Sequence, residues 1–174
     1  MQTTIVTAQW LKANSAKEFM IFDATYFLPT MRRDGRSEYE QAHIPGAVFF
    51  DIDGIKNEAS YLPHMVPSAQ YFQAEMQALG LQAGQQVIVY DNSPFLSAAR
   101  AWWMLRFFGH AAVAVLDGGL RAWEAAGGML TDEVIKQERG TFQASASAEA
   151  DVINLTELEQ AVRLGKAEQI IDAR

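Results

Sequence analysis

Residues 86–109 read QVIVYDNSPFLSAARAWWMLRFFG, and this stretch decides the fold class. Its first five residues, 86–90, form a compact apolar run that predicts a fully buried strand. The polar loop 91–96 follows, and Ser97 is predicted to cap a helix over residues 98–108. That helix is apolar almost all round, which predicts that it is buried in the middle of the domain. A buried strand that leads through a loop into a buried helix is typical of an α/β protein.

Short apolar runs and helical patterns alternate through the rest of the chain. Further strands are predicted at 19–22, 47–50 and 113–116, and further helices at 8–12, 38–42, 67–79 and 120–126. The strands are apolar throughout, as expected when helices cover both faces of a parallel sheet. We therefore predict an α/β fold with a mostly parallel sheet and helices on both faces. Ligands of such sheets bind at the carboxyl ends of the strands, which points to the loop 91–96.

Composition and charge narrow the function classes. The 174 residues are 49% hydrophobic and 20% charged, which suits one globular domain. The formal net charge of −7 disfavours nucleic acid and anionic membranes as partners. The basic residues Arg32, Arg33 and Arg36 are interrupted by Asp34, and we interpret them as a solvated loop. No apolar run approaches the roughly 18 residues of a membrane span. Residues 1–7 lack the features of a secretory signal, so we expect a cytoplasmic protein.

The chain contains no cysteine, which excludes several chemistries within these 174 residues. Disulfides, thiolate zinc sites, iron–sulfur clusters and a cysteine nucleophile are all ruled out. The three histidines, His43, His64 and His110, are spread along the chain and show no metal-binding spacing. The pair Gly118-Gly119 lacks the spacing of a dinucleotide-binding loop. We therefore expect neither a metal nor another cofactor.

The C-terminal part of the chain repeats its opening. Residues 7–24 and 154–173 each contain a capping residue, a helix and an apolar run that ends in Asp-Ala. Between the two units, residues 144–150 are small and polar, which is typical of a linker. We therefore expect a complete domain at 1–143, a linker at 144–151, and the first helix and strand of a truncated second domain at 152–174, with that strand at 169–173.

Five ordered motifs make the chain resemble the rhodanese (sulfurtransferase) family. They are Glu38–Ala47 with Phe49–Asp53, Leu62–Met65, Val89–Asp91, Ser97–Arg106 and Leu116–Trp123. They span essentially the whole chain and are most similar to the N-terminal half of tandem-domain 3-mercaptopyruvate or thiosulfate sulfurtransferases. The resemblance implies a rhodanese-like fold whose mostly parallel sheet has about five strands.

The resemblance also implies that the two halves of such a protein have different tasks. The C-terminal half carries the cysteine that becomes a persulfide, in a loop between a strand and a helix, whereas the N-terminal half is usually inert. Asp91 stands at the start of the equivalent loop here. The resemblance and the absence of cysteine therefore agree that this chain is not catalytic by itself. We interpret Asp91 as a loop and cap residue; an aspartyl nucleophile is the alternative.

Arg100 is the first candidate substrate-binding residue. It falls in the first turn of the predicted helix 98–108, where a cation opposes the helix macrodipole and therefore needs a partner. Two interpretations stay open, namely a salt bridge to Asp91 or Asp53 within the domain, or contact with an anionic substrate across a domain interface. The resemblance implies the second role.

His64 and Asp53 are the other two candidates, facing the missing domain. The resemblance implies that they assist proton handling together with a serine of the C-terminal domain. Histidine suits this task because its ordinary pKa lies near working pH. His43, in the turn His43-Ile-Pro-Gly-Ala, is interpreted as an architectural residue that bonds the loop backbone.

The motifs together predict the non-catalytic N-terminal domain of a sulfurtransferase. Such a protein moves sulfane sulfur from 3-mercaptopyruvate or thiosulfate to a thiol or cyanide acceptor. The expected partners are therefore a small-molecule sulfur donor and acceptor, which react at the missing C-terminal domain. The alternative is a stand-alone inactive rhodanese module that binds a protein partner. Coding sequence that continues past Arg174 into a cysteine-containing loop favours the first reading, and a native stop favours the second.

Overall fold

The computed structural model describes residues 4–15, 18–145, 152–165 and 169–171. Within them, five strands are formed: β1 (Ile5–Val6), β2 (Met20–Asp23), β3 (Ala47–Phe49), β4 (Val87–Tyr90) and β5 (Val113–Leu116). The helices are α1 (Ala8–Ala13), α2 (Gly35–Gln41), α3 (Ala69–Ala78), α4 (Ala98–Phe107), α5 (Gly119–Ala125) and α6 (Leu155–Arg163). A short 3-10 helix, Pro29–Met31, precedes α2.

The strands form one sheet in the order β1-β5-β4-β2-β3, and every pairing is parallel. The predicted α/β class and the sheet of about five strands are thereby confirmed. Strand β1 was not predicted, because two residues are too few to show a periodic pattern. Its residues Ile5 and Val6 pair with Val115 and Leu116 at the edge of the sheet.

Strand β4 lies in the centre of the sheet and divides the core into two layers. Val87 and Val89 pack on one face, and Ile88 and Tyr90 pack on the other. Helices α3 and α4 cover the first face, whereas α1, α2 and α5 cover the second. Both faces of the strand are therefore buried, which explains its unbroken apolar sequence.

Helix α4 lies in an outer layer, contrary to the prediction of a helix in the middle of the domain. Its residues Met104 and Leu105 are buried, but Trp102 and Trp103 are only half-buried and Arg106 is exposed. The ring of Trp103 stacks on that of Phe107, with 4.9 Å between the centroids. The pattern overestimated burial because these large rings cover one another at the surface as well as the sheet beneath them.

The helix caps predicted at Thr7 and Asn154 are confirmed, and the cap predicted at Ser97 is wrong. Thr7 accepts the backbone N–H of Trp10 at the start of α1, and Asn154 accepts that of Glu157 at the start of α6. Ser97 has helical backbone angles and makes no cap with its side chain. Its hydroxyl is bonded elsewhere because the carboxylate of Asp91, a stronger acceptor, already takes the first N–H of α4.

The order of the strands places a crevice between β2 and β4. From β2 the chain continues outward to β3 on one side, and from β4 it continues outward to β5 on the other side. Such a change of direction leaves the loops at the carboxyl ends of the two central strands free to diverge. Functional side chains are therefore expected on the loops that follow β2 and β4.

The C-terminal segment differs from the rest of the chain in its burial. Asn154 and Glu157 form a capping box at the start of α6, yet no residue of this helix is buried. The predicted strand at 169–173 is wrong for residues 169–171, which are exposed and not in a strand, and residues 172 and 173 lie outside the described part of the chain. A strand needs a neighbouring strand as its partner, and none is described beside these residues.

A search of the described helices for one that is long and apolar enough to cross a membrane found none.

His110 gives the core a predicted dependence on pH. The ring is buried, and its Nε2 lies 2.8 Å from the carbonyl oxygen of Gln85. Burial lowers the pKa of His110, and the bond to Gln85 opposes this only in part. The unfolded chain therefore binds a proton more tightly than the folded chain. The stability that the neutral ring contributes is complete above a pH of about 6.5 and is lost as the pH falls toward the lower pKa of the folded state.

Urea unfolding at pH 8 and pH 5.5 checks this prediction, with His110→Gln as the comparison, since glutamine keeps a donor for the Gln85 carbonyl. We expect the free energy of unfolding to fall more for the wild type than for the variant between the two pH values. The comparison is needed because Asp23 and Asp91, whose pKa values are raised by burial, change stability in the opposite direction. Equal losses in both proteins would show that His110 does not titrate during unfolding.

Candidate functional site

Three loops meet at the carboxyl edge of the sheet, namely 24–28 after β2, 50–68 after β3 and 91–97 after β4. The hydroxyl of Ser97 donates to the carbonyl oxygen of Ala24 at 2.7 Å. The N–H of Asn92 donates to the hydroxyl oxygen of Thr25 at 2.9 Å. These contacts fix the first loop against the third, on the two sides of the crevice.

Asp91 is held inside the third loop by its own backbone. Its Oδ2 accepts the N–H of Ala98 at 2.6 Å and the hydroxyl of Ser97 at 3.4 Å, and its Oδ1 accepts the N–H of Ser93 at 3.3 Å. Burial raises the pKa of the Asp91 carboxyl, and the hydrogen bonds from Ala98, Ser93 and Ser97 lower it again in part. A buried carboxylate with both oxygens bonded is a poor nucleophile. The geometry therefore supports the interpretation of Asp91 as a loop and cap residue.

Replacing Asp91 tests this structural role. In Asp91→Ala, the buried N–H groups of Ala98 and Ser93 lose their acceptor, so we expect about 1–3 kcal/mol of destabilisation in chemical unfolding. Asp91→Asn keeps an oxygen acceptor and avoids the cost of a buried charge, so it should recover most of that loss. The matched control is Asp117→Ala, because Asp117 also follows a strand but is exposed. Equal small effects of Asp91→Ala and Asp117→Ala would contradict the assignment.

A cavity of about 520 Å³ lies beside the loop 91–96, on the side of β5. Leu96, Trp102 and Leu116 contribute to its mainly apolar lining. The sequence analysis placed function near this loop, but the titratable side chains that face one another lie on the other side, around α4 and the loop after β3.

The structure brings together the three candidate residues that the sequence predicted, His64, Asp53 and Arg100. Nε2 of His64 lies 2.7 Å from Oδ1 of Asp53, and the carbonyl oxygen of His64 accepts a hydrogen bond from Nη2 of Arg100. The side chain of Asp53 is 66% exposed and that of His64 is 24% exposed, so the pair opens toward solvent. Asp91 is not part of this cluster, since its contacts are with its own loop.

Local turns orient the Asp53–His64 pair. Oδ1 of Asp51 accepts the N–H groups of Asp53 and Gly54, which fixes the turn after β3. The N–H of Asn57 donates to the carbonyl oxygen of Met65 at 2.8 Å and closes the loop in which His64 lies. His64 itself has a φ of 57°, in the left-handed region that residues with a Cβ rarely adopt. The position of the imidazole is therefore set by the loop rather than by a regular element.

Tyr26 is a member of the cluster that the sequence analysis missed. Its ring meets the ring of His64 edge to face, with 5.0 Å between the centroids. Burial raises the pKa of Tyr26, and the charge of Asp53 raises it further. The available signal was its place three residues after β2, at the carboxyl edge of the sheet.

Arg100 has no carboxylate partner among the described residues. The salt bridges to Asp91 or Asp53 that the sequence left open are not among the described ion pairs. Burial lowers the pKa of the Arg100 guanidinium, and its Nε is buried without a hydrogen-bond partner in the described structure. No carboxylate within the described residues therefore balances the charge of this guanidinium.

Two further predictions from the sequence concern residues away from this cluster. His43 is buried, and its ring nitrogens lie 2.6 Å from the carbonyl oxygen of Tyr39 and 3.2 Å from that of Glu133, which confirms its architectural role. Arg32, Arg33 and Arg36 are exposed as predicted, but Arg36 lies in α2 rather than in a loop, and Arg33 is paired with Glu38 through two bonds of 2.6 Å.

The loops after β3 and β4 carry exposed apolar side chains, which we call the apolar rim. The exposed members are Tyr61, Leu62, Met65, Phe95 and Leu96. Tyr61 is 95% exposed, which is unusual for so large a ring in a folded domain. A second surface placed against Leu62 and Met65, on the loop that holds His64, would exclude water from the imidazole, and electrostatic interactions would gain strength there.

Comparison with known proteins gives consistent matches. The sequence profile of the rhodanese-like domain matches residues 7–126. Thiosulfate/3-mercaptopyruvate sulfurtransferase 1, mitochondrial, of Arabidopsis thaliana is 44% identical over 147 residues, covering 84% of this chain and 38% of that protein. The 3-mercaptopyruvate sulfurtransferase of Escherichia coli K12 is 41% identical over 177 aligned positions, covering 100% of this chain and 62% of that protein.

A solved structure is similar over the whole fold. The crystal structure of SseA from Escherichia coli, described with the rhodanese fold and catalytic mechanism of 3-mercaptopyruvate sulfotransferases, superposes with a TM-score of 0.90. It is 39% identical in sequence, and the match covers 99% of this chain and 66% of that one. The chain thus spans between 38% and 62% of the length of these two curated relatives.

Proposed function

This chain belongs to the rhodanese-like domain family, and on that premise we propose that it forms the non-catalytic N-terminal half of a sulfurtransferase. The complete protein moves sulfane sulfur from 3-mercaptopyruvate or thiosulfate to a thiol or cyanide acceptor. The reacting cysteine belongs to the C-terminal half, and this chain supplies one wall of the cleft in which the sulfur donor binds. The printed names of the relatives, which include both donors, support this assignment.

The observation that carries the proposal is the state of the loop after β4. Sulfur transfer through a persulfide needs a thiolate, and the chain has no cysteine. At the loop position where the family carries that cysteine, Asp91 fills the space with a carboxylate bonded to Ala98 and Ser93. The loop is ordered by these bonds but carries no group that can hold sulfur. This combination is expected of a domain that supports catalysis without taking part in it.

The cluster around His64 supplies the second part of the proposal. When sulfur leaves 3-mercaptopyruvate, the carbon that held it takes up a proton to give pyruvate. Asp53 holds Nε2 of His64, which leaves Nδ1 for proton exchange with groups across the cleft. Arg100, whose charge is not balanced by any carboxylate among the described residues, binds the carboxylate of the sulfur donor.

The C-terminal segment belongs to the same proposal. We assign residues 1–143 to the first domain, 144–151 to a linker and 152–174 to the start of a second rhodanese-like unit, whose first helix is α6. The apolar residues Leu155, Val162 and Leu164 in and after α6 are exposed, as expected of a helix whose apolar side packs on the rest of that unit. Helix α1, at the corresponding place in the first domain, buries Ala8 and Leu11 in this way.

Determining the coding sequence beyond the codon for Arg174 tests the proposed function. We expect a second rhodanese-like unit with a cysteine directly after the strand that corresponds to β4. The complete protein should then form pyruvate from 3-mercaptopyruvate in the presence of a thiol, and a serine substitution of that cysteine should abolish the activity. A native stop after Arg174 would refute the proposal and favour a stand-alone protein-binding module.

A further inference from the structure

His64 is held in a costly backbone conformation. Its φ of 57° lies in the left-handed region, where the Cβ atom crowds the carbonyl group that follows. Glycine enters this region freely; asparagine, aspartate and histidine occupy it more often than other residues, but at a cost that the surroundings must offset. The structure must therefore contain a contact that outweighs this preference at residue 64.

The loop itself supplies only part of that restraint. The bond from the Asn57 N–H to the Met65 carbonyl closes the loop one residue beyond His64. On the side-chain side, Asp53 holds the imidazole and Tyr26 packs against it, but Asp53 is itself largely exposed. None of these contacts acts on the peptide group that carries the strained conformation.

Arg100 makes that contact. Its Nη2 donates to the carbonyl oxygen of His64, across 36 positions of sequence. The donor is charged and half-buried, and no carboxylate competes for it among the described ion pairs. A charged donor in such a place forms a hydrogen bond that is stronger than one between neutral groups.

We infer that Arg100 is a positioning residue that clamps the backbone of His64 and so fixes the direction of its imidazole toward the cleft. Arg100 stands on α4, whose first N–H is capped by Asp91, so the clamp is anchored to the core of the domain. The position of a loop residue is thereby tied to a regular helix. The same clamp explains a cation in the first turn of α4, where the helix dipole opposes it.

The inference bears on sulfur transfer only through the function proposed above, but its test needs no sulfur transfer. Nuclear magnetic resonance of the labelled 174-residue chain reports the backbone angle of His64 through its HN–Hα coupling and Cα shift. Amide exchange of Asn57 reports how often the loop opens. Both readouts stand whether or not the chain is part of a sulfurtransferase.

The decisive variant is Arg100→Met, which keeps the aliphatic bulk and removes the donor. We expect the left-handed signature of His64 to disappear and the exchange of the Asn57 amide to accelerate roughly ten- to a hundredfold, the effect of losing one charge-assisted hydrogen bond. Arg106→Met is the matched control, because Arg106 lies on the same helix and contacts only the ring of Trp102 among the described residues. It should leave both readouts unchanged.

A second variant, His64→Gly, distinguishes loss of the clamp from a general loss of packing. In His64→Gly the left-handed conformation carries no steric cost, so the double variant His64→Gly/Arg100→Met should exchange the Asn57 amide more slowly than Arg100→Met alone. An unchanged His64 signature and unchanged exchange in Arg100→Met would overturn the inference. So would an equal acceleration of core amides such as that of Val89, or exchange in the double variant as fast as in Arg100→Met.

Discussion

The isolated 174-residue chain is expected to release no pyruvate from 3-mercaptopyruvate and no thiocyanate from thiosulfate and cyanide, above a buffer blank. Transfer of sulfane sulfur requires a thiolate that attacks the donor and holds the sulfur as a persulfide, and no residue of this chain can do so. Asp91 cannot take over, because its buried carboxylate is bonded to the N–H groups of Ala98 and Ser93. Both assays are run over a range of protein concentrations, with the complete protein as the positive control.

Two results would contradict this expectation in different ways. Turnover that scales with concentration, in protein free of host enzymes, would show that the chain is catalytic. If Asp91→Asn then abolished that turnover while the chain stayed folded, Asp91 would be the nucleophile after all. If Asp91→Asn left it unchanged, the activity would lie in another group of the chain and the assignment of a supporting domain would be wrong.

Local sequence signals were sufficient for most of the architecture. The apolar run before Asp91 predicted β4 to within one residue, and the capping residues Thr7 and Asn154 predicted the starts of α1 and α6. These elements could be predicted because an unbroken apolar run and a hydroxyl before a helix each reflect interactions over a few residues. The absence of cysteine needed no structure at all.

The contacts that define the site could not be predicted in the same way. Arg100 bonds the carbonyl of His64 across 36 positions, and a contact at that distance leaves no periodic mark in the sequence. Tyr26 reaches the ring of His64 only because β2 and the loop after β3 end at the same edge of the sheet. The order of the strands decides which loops are neighbours, and therefore which residues meet in the cluster.

Burial was the other source of error. The sequence of α4 is apolar almost throughout, yet Trp102 and Trp103 are half-buried and the helix lies on the outside. The exposed apolar rim formed by Tyr61, Leu62, Met65, Phe95 and Leu96 has the same physical meaning. Apolar residues that the single domain does not bury are those expected to face a further surface. A pattern of hydrophobicity alone does not distinguish residues buried in the core from residues that face such a surface.

In the complete protein, Arg100→Ala is expected to lower kcat/KM for 3-mercaptopyruvate roughly ten- to a hundredfold, which corresponds to the loss of about 1.5–3 kcal/mol from a charge-assisted hydrogen bond. The thermal midpoint should fall less than for a core substitution, because Arg100 forms no ion pair among the described residues and its side chain bonds only a loop carbonyl, that of His64. Arg106→Ala, on the exposed side of the same helix, should leave both quantities near the wild-type values.

The division of the Arg100→Ala effect between KM and kcat separates the two tasks assigned to this arginine. Direct binding of the donor carboxylate acts on ground state and transition state alike, so its loss raises KM. The clamp on His64 acts through the position of the proton-exchanging ring, so its loss lowers kcat and leaves KM nearly unchanged. We expect both parts in Arg100→Ala, and only the kcat part in Tyr26→Leu, which removes a ring contact of His64 without touching the guanidinium. A large fall in the thermal midpoint of Arg100→Ala with unchanged kcat/KM would show instead that this arginine serves the fold alone.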